Sequence, residues 1–197
     1  MQHKLPEPNK EFIKSFLAAF DAEQDASEQT IVDLIYHFRE NSNLSQIHAK
    51  VCVINSIYGT NIYATLKMAK HIHSLKIDHM LETGDPSVVE KIANLEVTPG
   101  KIRCFYSFAT KYSNWHQPDK FPIFDSIVEK FLLQANKAYK FSPVHKRADL
   151  RAFPKYKYFI DNFISQFGLQ EFNYKEIDMA LWQYGKELSV VADEKTA

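Results

Sequence analysis

Apolar side chains return every three or four residues through most of this chain, the period that lines one face of a helix. From about Lys10 to Glu23, Phe12, Phe16, Leu17 and Phe20 share a face, and Ile31, Leu34, Ile35 and Phe38 form the next stripe. Strict alternation is nowhere sustained, and 5 Gly with 8 Pro supply little material for tight hairpins. The spacing predicts an all-α protein of about eight to ten helices with no convincing strand pair.

Punctuation divides that pattern. The second helix is expected to open at Asp25, with Glu28 three residues on as in a capping box, and the last at Asn173, with Glu176 in the same relation. The apolar run from Gln46 to about Leu75 is interrupted at Tyr58, Gly59, Thr60 and Asn61, which reads as two helices around a short polar corner. A further helix is expected from Asp85 and Pro86, carrying Val88, Val89, Ile92 and Leu95 and stopped by the run Val97 to Gly100. Another spans Lys101 to about Tyr112, and the next begins near Asp125. Lys140 to Arg151 reads as irregular, and Pro154 interrupts or starts the helix after it. Residues 1–197 are expected to form a single all-α domain, with the N-terminal helices and the C-terminal helices over 155–189 packing as a second lobe.

Hydrophobic residues at 45% and aromatics at 14% exclude a disordered chain. Cys52 and Cys104 are too few for a disulfide framework or a four-thiolate cluster. With no secretory leader pattern and no apolar run of about 20 residues, a soluble cytoplasmic protein is expected. The 24 basic and 24 acidic residues cancel, which argues at first against a polyanion partner. The cancellation is uneven along the chain. Residues 101–158 hold 12 of the basic residues against Asp119, Asp125, Glu129 and Asp149, a formal +8 balanced by −8 elsewhere.

That basic stretch, with the two residues before it, contains Pro99, Gly100, Lys101 and Ile102 and, further on, Phe121, Pro122, Ile123, Phe124, Asp125, Ser126, Ile127 and Val128. The order of residue types, over about 51–131, resembles the helix-hairpin-helix DNA glycosylase superfamily, the fold of endonuclease III. In that family a glycine hairpin leads into an apolar helix and then a proline-bounded segment whose Asp is essential. The resemblance implies a two-lobed helical fold, a DNA partner, no cofactor, and excision of a flipped base. It places Asp125 as the carboxylate that stabilises the sugar cation and Lys101 where bifunctional members carry a Schiff-base lysine. Tyr58, Thr60 and Asn61 fall at the family's corner and, with Arg103, Lys111 and Lys120, become candidate DNA contacts. Tyr112, Trp115, His116 and Trp182 become candidates for a base pocket. Read from local sequence instead, Asp125 is a helix N-cap, Lys101 an exposed lysine, and the aromatics core residues. His71, His73 and His79 lack the spacing of a metal site. A non-catalytic nucleic-acid-binding module and a helical protein-interaction protein remain alternatives.

Overall fold

Helix formation tracks the apolar period closely. A computed structural model describes residues 5–19, 22–144 and 146–194, with the backbone alone for 22–25 and 189–194. Among the described residues it contains ten α-helices, a 3-10 turn and one small antiparallel hairpin. No helix among them is long and apolar enough to cross a membrane. The chain divides into two compact units, residues 21–123 and residues 1–20 with 124–197. This boundary falls inside the stretch that resembles the glycosylases, separating Lys101 from Asp125 by unit.

In the 21–123 unit, α2 (Ala22–His37) packs on α3 (Leu44–Tyr58), and α3 packs on α4 (Thr65–Leu75). The short α5 (Asp78–Thr83) precedes α6 (Ser87–Ala93), which lies against α7 (Tyr106–His116). Ile47, Val51, Ile54, Met68, Ile72, Val88, Val89, Phe108 and Tyr112 are buried together as its core. The expected start of α2 at Asp25 is corrected. The helix begins at Ala22, so Asp25 lies inside it, and the Asp25 side chain falls outside the described residues. Glu28 instead accepts the Tyr58 hydroxyl at 2.8 Å. At Asp85 the carboxylate accepts the Ser87 amide, so the expected helix opens there but ends at Ala93.

The largest departure comes directly after α6. Leu95 leaves the helix for β1 (Asn94–Thr98), which turns at Pro99 and Gly100 into β2 (Lys101–Cys104). The helix expected from Lys101 therefore begins only at Tyr106. Gly100 takes φ 76°, where a side chain would be strained, and its amide bonds the Glu96 carboxylate at 2.8 Å. All four residues of β2 are exposed, so the strand carries no apolar alternation for sequence to reveal.

In the other unit, α1 (Lys10–Ala18) packs against α10 (Tyr174–Glu194). Phe12 and Phe16 meet the Tyr184 ring edge-on at 5.2 and 5.3 Å, and Phe131 of α8 (Ser126–Tyr139) completes that cluster. The expected first helix stops at Ala18, and Phe20 lies outside the described residues. Gly185 lets α10 approach α8, because a Cβ there would lie 2.3 Å from Ile127. After η1 (Asp149–Arg151), α9 (Phe153–Phe167) buries Phe153, Tyr156, Phe159 and Phe163, and Pro154 sits in its first turn where a missing N–H costs nothing. The Asn173 capping box forms as expected: Glu176 N–H donates to Asn173 Oδ1 at 2.9 Å, and Asn173 N–H donates to Glu176 at 2.8 Å.

Candidate nucleic-acid interface

The corner between α3 and α4 is held from within. Gly59 ends α3 in the left-handed conformation, and Asn55, one turn back, ties down residues 60–62. Its Oδ1 accepts the Thr60 hydroxyl at 2.8 Å and the Ile62 amide at 2.9 Å, while its Nδ2 donates to the Ile62 carbonyl at 3.2 Å. Ile62 is consequently buried and Tyr63, the next residue, is turned out with 87% of its surface exposed. Leu66, one turn on, is 45% exposed.

This corner adjoins the hairpin. Lys67, in the first turn of α4, donates to the Val97 carbonyl at 2.8 Å. Lys101 and Arg103 are exposed on β2, two residues apart and so on one side of it. The Arg103 guanidinium lies 4.9 Å from the Phe105 ring centroid, which orients it without neutralising it. Ala64 offers the first turn of α4 no side-chain cap. One end of the unit therefore presents an outward aromatic, an uncapped helix start and cationic side chains.

The candidates read from sequence distribute unevenly over this geometry. Arg103 and Lys101 lie on the interface, and Asn61 is exposed at its corner with φ 58°. Thr60 is turned inward to Asn55. Tyr58 donates to Glu28 and lies 5.2 Å under the Lys111 ammonium, so it is not presented as a wedge. Lys111 is buried and donates to Ser107 at 2.9 Å, and Lys120 donates to the Glu82 carbonyl. Both serve the fold. Tyr63, Leu66 and Lys67 escape sequence reasoning; a tyrosine just after a Gly-Thr-Asn corner is the signal that could have found them.

The proposed base-pocket residues separate as well. Trp182 lies on α10 in the other unit, with the Lys186 ammonium 5.0 Å from its ring. Trp115 and His116 are half-buried at the end of α7. Tyr112 is fully buried and its hydroxyl donates to Asn41 Oδ1 at 2.5 Å, which makes it core. That oxygen also accepts from Lys50 at 2.7 Å, while the Asn41 amides donate to Asp78. Lys50 further donates to the carbonyls of Phe38 and Glu40 at 3.0 and 3.1 Å, just past the end of α2, with His116 Nε2 at 3.4 Å. Burial pulls the Lys50 ammonium down to about 8 against the upward pull of Asp78. Burial, and secondly the Lys50 charge, holds His116 well below the usual histidine range. Burial raises Tyr112. This cluster clamps α2, α3 and α7 together and spends its polar atoms on one another.

Asp125 caps α8 in the other unit, its Oδ1 accepting the Ile127 amide at 2.9 Å. The preceding Phe121, Ile123 and Phe124 are buried. His71 and His73 bond the carbonyls of Lys91 and Ser42, and the described residues include no His, Cys, Asp and Glu group able to hold a metal ion.

Residues 12–120, over half of the 197, match HI_0787_N, described as an N-terminal domain. The chain belongs to this family. An uncharacterized protein of Haemophilus influenzae (strain ATCC 51907 / DSM 11121 / KW20 / Rd) is 44% identical over 135 residues, covering 68% of this chain and 63% of that protein. The chain thus spans less than two thirds of its relative's length. No solved structure matches it. The HI_0787_N match takes in the Asn55 corner, α4 and the hairpin, and stops before Asp125.

Proposed function

We propose that this chain binds duplex DNA through the corner and hairpin of the 21–123 unit. The observation that carries the reading is Tyr63, held outward on a corner fixed by Asn55 and accompanied by Lys101 and Arg103. An aromatic presented by a fixed backbone loses little freedom when it wedges at a base step of a duplex, where its contacts offset part of the unstacking. Cations beside it displace counterions from phosphates.

A second reading adds base excision, and Asp125 favours it. A carboxylate oriented by its own helix start, behind buried aromatics, suits stabilisation of positive charge developing on a sugar. A glycosylase-like fold belongs to this reading. The helix, corner and helix over 44–75 are in keeping with it, whereas the Pro99-Gly100 turn joins two strands. Lys101 lies exposed on β2, in a different unit from Asp125, and excision on this reading is hydrolytic and forms no imine.

Fluorescence anisotropy with a labelled duplex across a salt series tests the binding. We expect affinity to fall as salt rises, and a Tyr63→Ala, Lys101→Gln, Arg103→Gln triple variant to lose at least about tenfold. Equal binding by the variant would overturn the interface. Release of a base from lesion-bearing duplexes, lost in Asp125→Asn and without a borohydride-trapped adduct, would establish excision; binding without release would leave a non-catalytic module.

A further inference from the structure

Eight of the twelve basic residues in the stretch that sequence singled out lie in the other unit, and three of them, Lys137, Lys140 and Arg147, line a cavity. The space, about 490 Å³, lies at the C-terminal end of α8 with Leu133, Lys137, Lys140, Pro143 and Arg147 among its lining residues. We propose that this cavity binds a small molecule carrying a phosphate group.

Its wall is built rather than incidental. Asn136, buried beneath it, donates from Nδ2 to the carbonyls of Ser142 and Val144 at 3.0 and 2.9 Å and accepts the Ser142 amide at 2.8 Å. These bonds fix the returning loop. Arg147 is anchored from behind: its Nε and a terminal nitrogen both lie 2.9 Å from Glu129 Oε2, a carboxylate that is 1% exposed. A guanidinium oriented in this way is a prepared anion ligand. Lys140, at φ 56°, turns the chain just past the helix end, and neither it nor Lys137 forms an ion pair with any described residue.

Charge and size together narrow the ligand. Cations near a helix C-terminus ordinarily offset its partial charge, which amounts to about half an elementary charge. Lys137, Lys140 and Arg147 less Glu129 leave +2, several times that need. A cavity of this volume lies within the roughly 300–1,000 Å³ usual for small-molecule sites and exceeds what a bare phosphate fills. Leu133 and Pro143 give the remainder of the ligand an apolar wall. The geometry therefore suits a phosphate monoester on a body of about nucleotide size. This inference is independent of the DNA interface, which uses residues of the other unit.

Calorimetric titration of the full chain with inorganic phosphate, a nucleoside 5′-monophosphate and the unphosphorylated nucleoside tests it. We expect the monophosphate to bind more tightly than phosphate and the nucleoside not to bind. A Lys137→Gln, Lys140→Asn variant should weaken the monophosphate at least about tenfold. Asn is chosen because it tolerates the left-handed conformation at 140. That variant should keep its melting temperature and its duplex affinity, so that failure here is distinguishable from failure of the DNA reading. Arg147→Lys, which retains a partner for Glu129, should weaken the ligand without unfolding the unit. No binding of either phosphate, equal binding of the nucleoside, or unchanged affinity in the double variant would overturn the site. Displacement of the monophosphate by duplex would also overturn it, by assigning the cations to a nucleic-acid backbone.

Discussion

Two groups of cations in the 21–123 unit use the same side chains in opposite ways. Lys50 and Lys111 are buried, at 0% and 2% exposed, with their ammonium groups held by fixed acceptors. Lys101 and Arg103 stand exposed on β2. The first group joins helices; the second remains available to an outside anion. A count of charge along the sequence adds the two together, although only exposed cations contribute to a surface field. The difference arises one level down, in whether local structure supplies carbonyls and hydroxyls to the ammonium before a ligand can.

The contrast breaks most visibly at Lys50. Lys50→Met would remove the donor that the partly buried carbonyls of Phe38 and Glu40 share and leave the Asp78 carboxylate without its neighbouring cation, and we expect a loss of about 3–5 kcal/mol in urea unfolding. A loss below about 1 kcal/mol would show that the clamp holds little. On the exposed side, Lys101→Gln with Arg103→Gln should cost about tenfold or more in duplex affinity and flatten the salt dependence by about two counterions. The same variant should unfold at nearly the native urea concentration, which is the sense in which the two groups differ.

The clamp also carries a pH signature. His116 is held neutral when folded, so its contribution is fully present above the unfolded value of 6.5 and is lost as pH falls below it. Stability should therefore decline on the acid side of 6.5, and His116→Gln should flatten that decline. Lys50 acts at the other end: between about 8 and 10.5 the unfolded chain binds the extra proton, so stability from this group rises with pH across that window. Urea midpoints measured across both ranges check the two signs. The smallest effect is expected at Tyr58. Tyr58→Phe removes its bond to Glu28, at a cost of about 1 kcal/mol or less, and should leave duplex affinity unchanged. A marked loss of affinity would return Tyr58 to the interface.

What sequence revealed depended on how local the physics was. The Asn173 capping box, the Asp125 cap, Pro154 in a first turn and the corner after Tyr58 are each settled within a few residues, and each appears in the structure. Asp25 has the same spacing as Asn173 but lies within a helix begun at Ala22, because spacing alone does not say where the preceding turn starts. The β-hairpin was hidden: β2 is four exposed residues whose partner strand, through Leu95, packs on elements contributed by α4 and α6. The Asn41, Lys50 and Asp78 cluster joins residues up to 37 positions apart, and no short pattern could announce it. Tyr63 was legible as an aromatic, but its outward direction depends on Asn55 folding back over the corner.

Hydrogen–deuterium exchange with and without a short duplex tests the central proposal most directly. Binding at the corner and hairpin predicts slowed exchange over residues 60–67 and 96–104, with the buried cluster around Lys50 unchanged. Protection confined to other segments, with 60–67 and 96–104 exchanging as in the free protein, would contradict it.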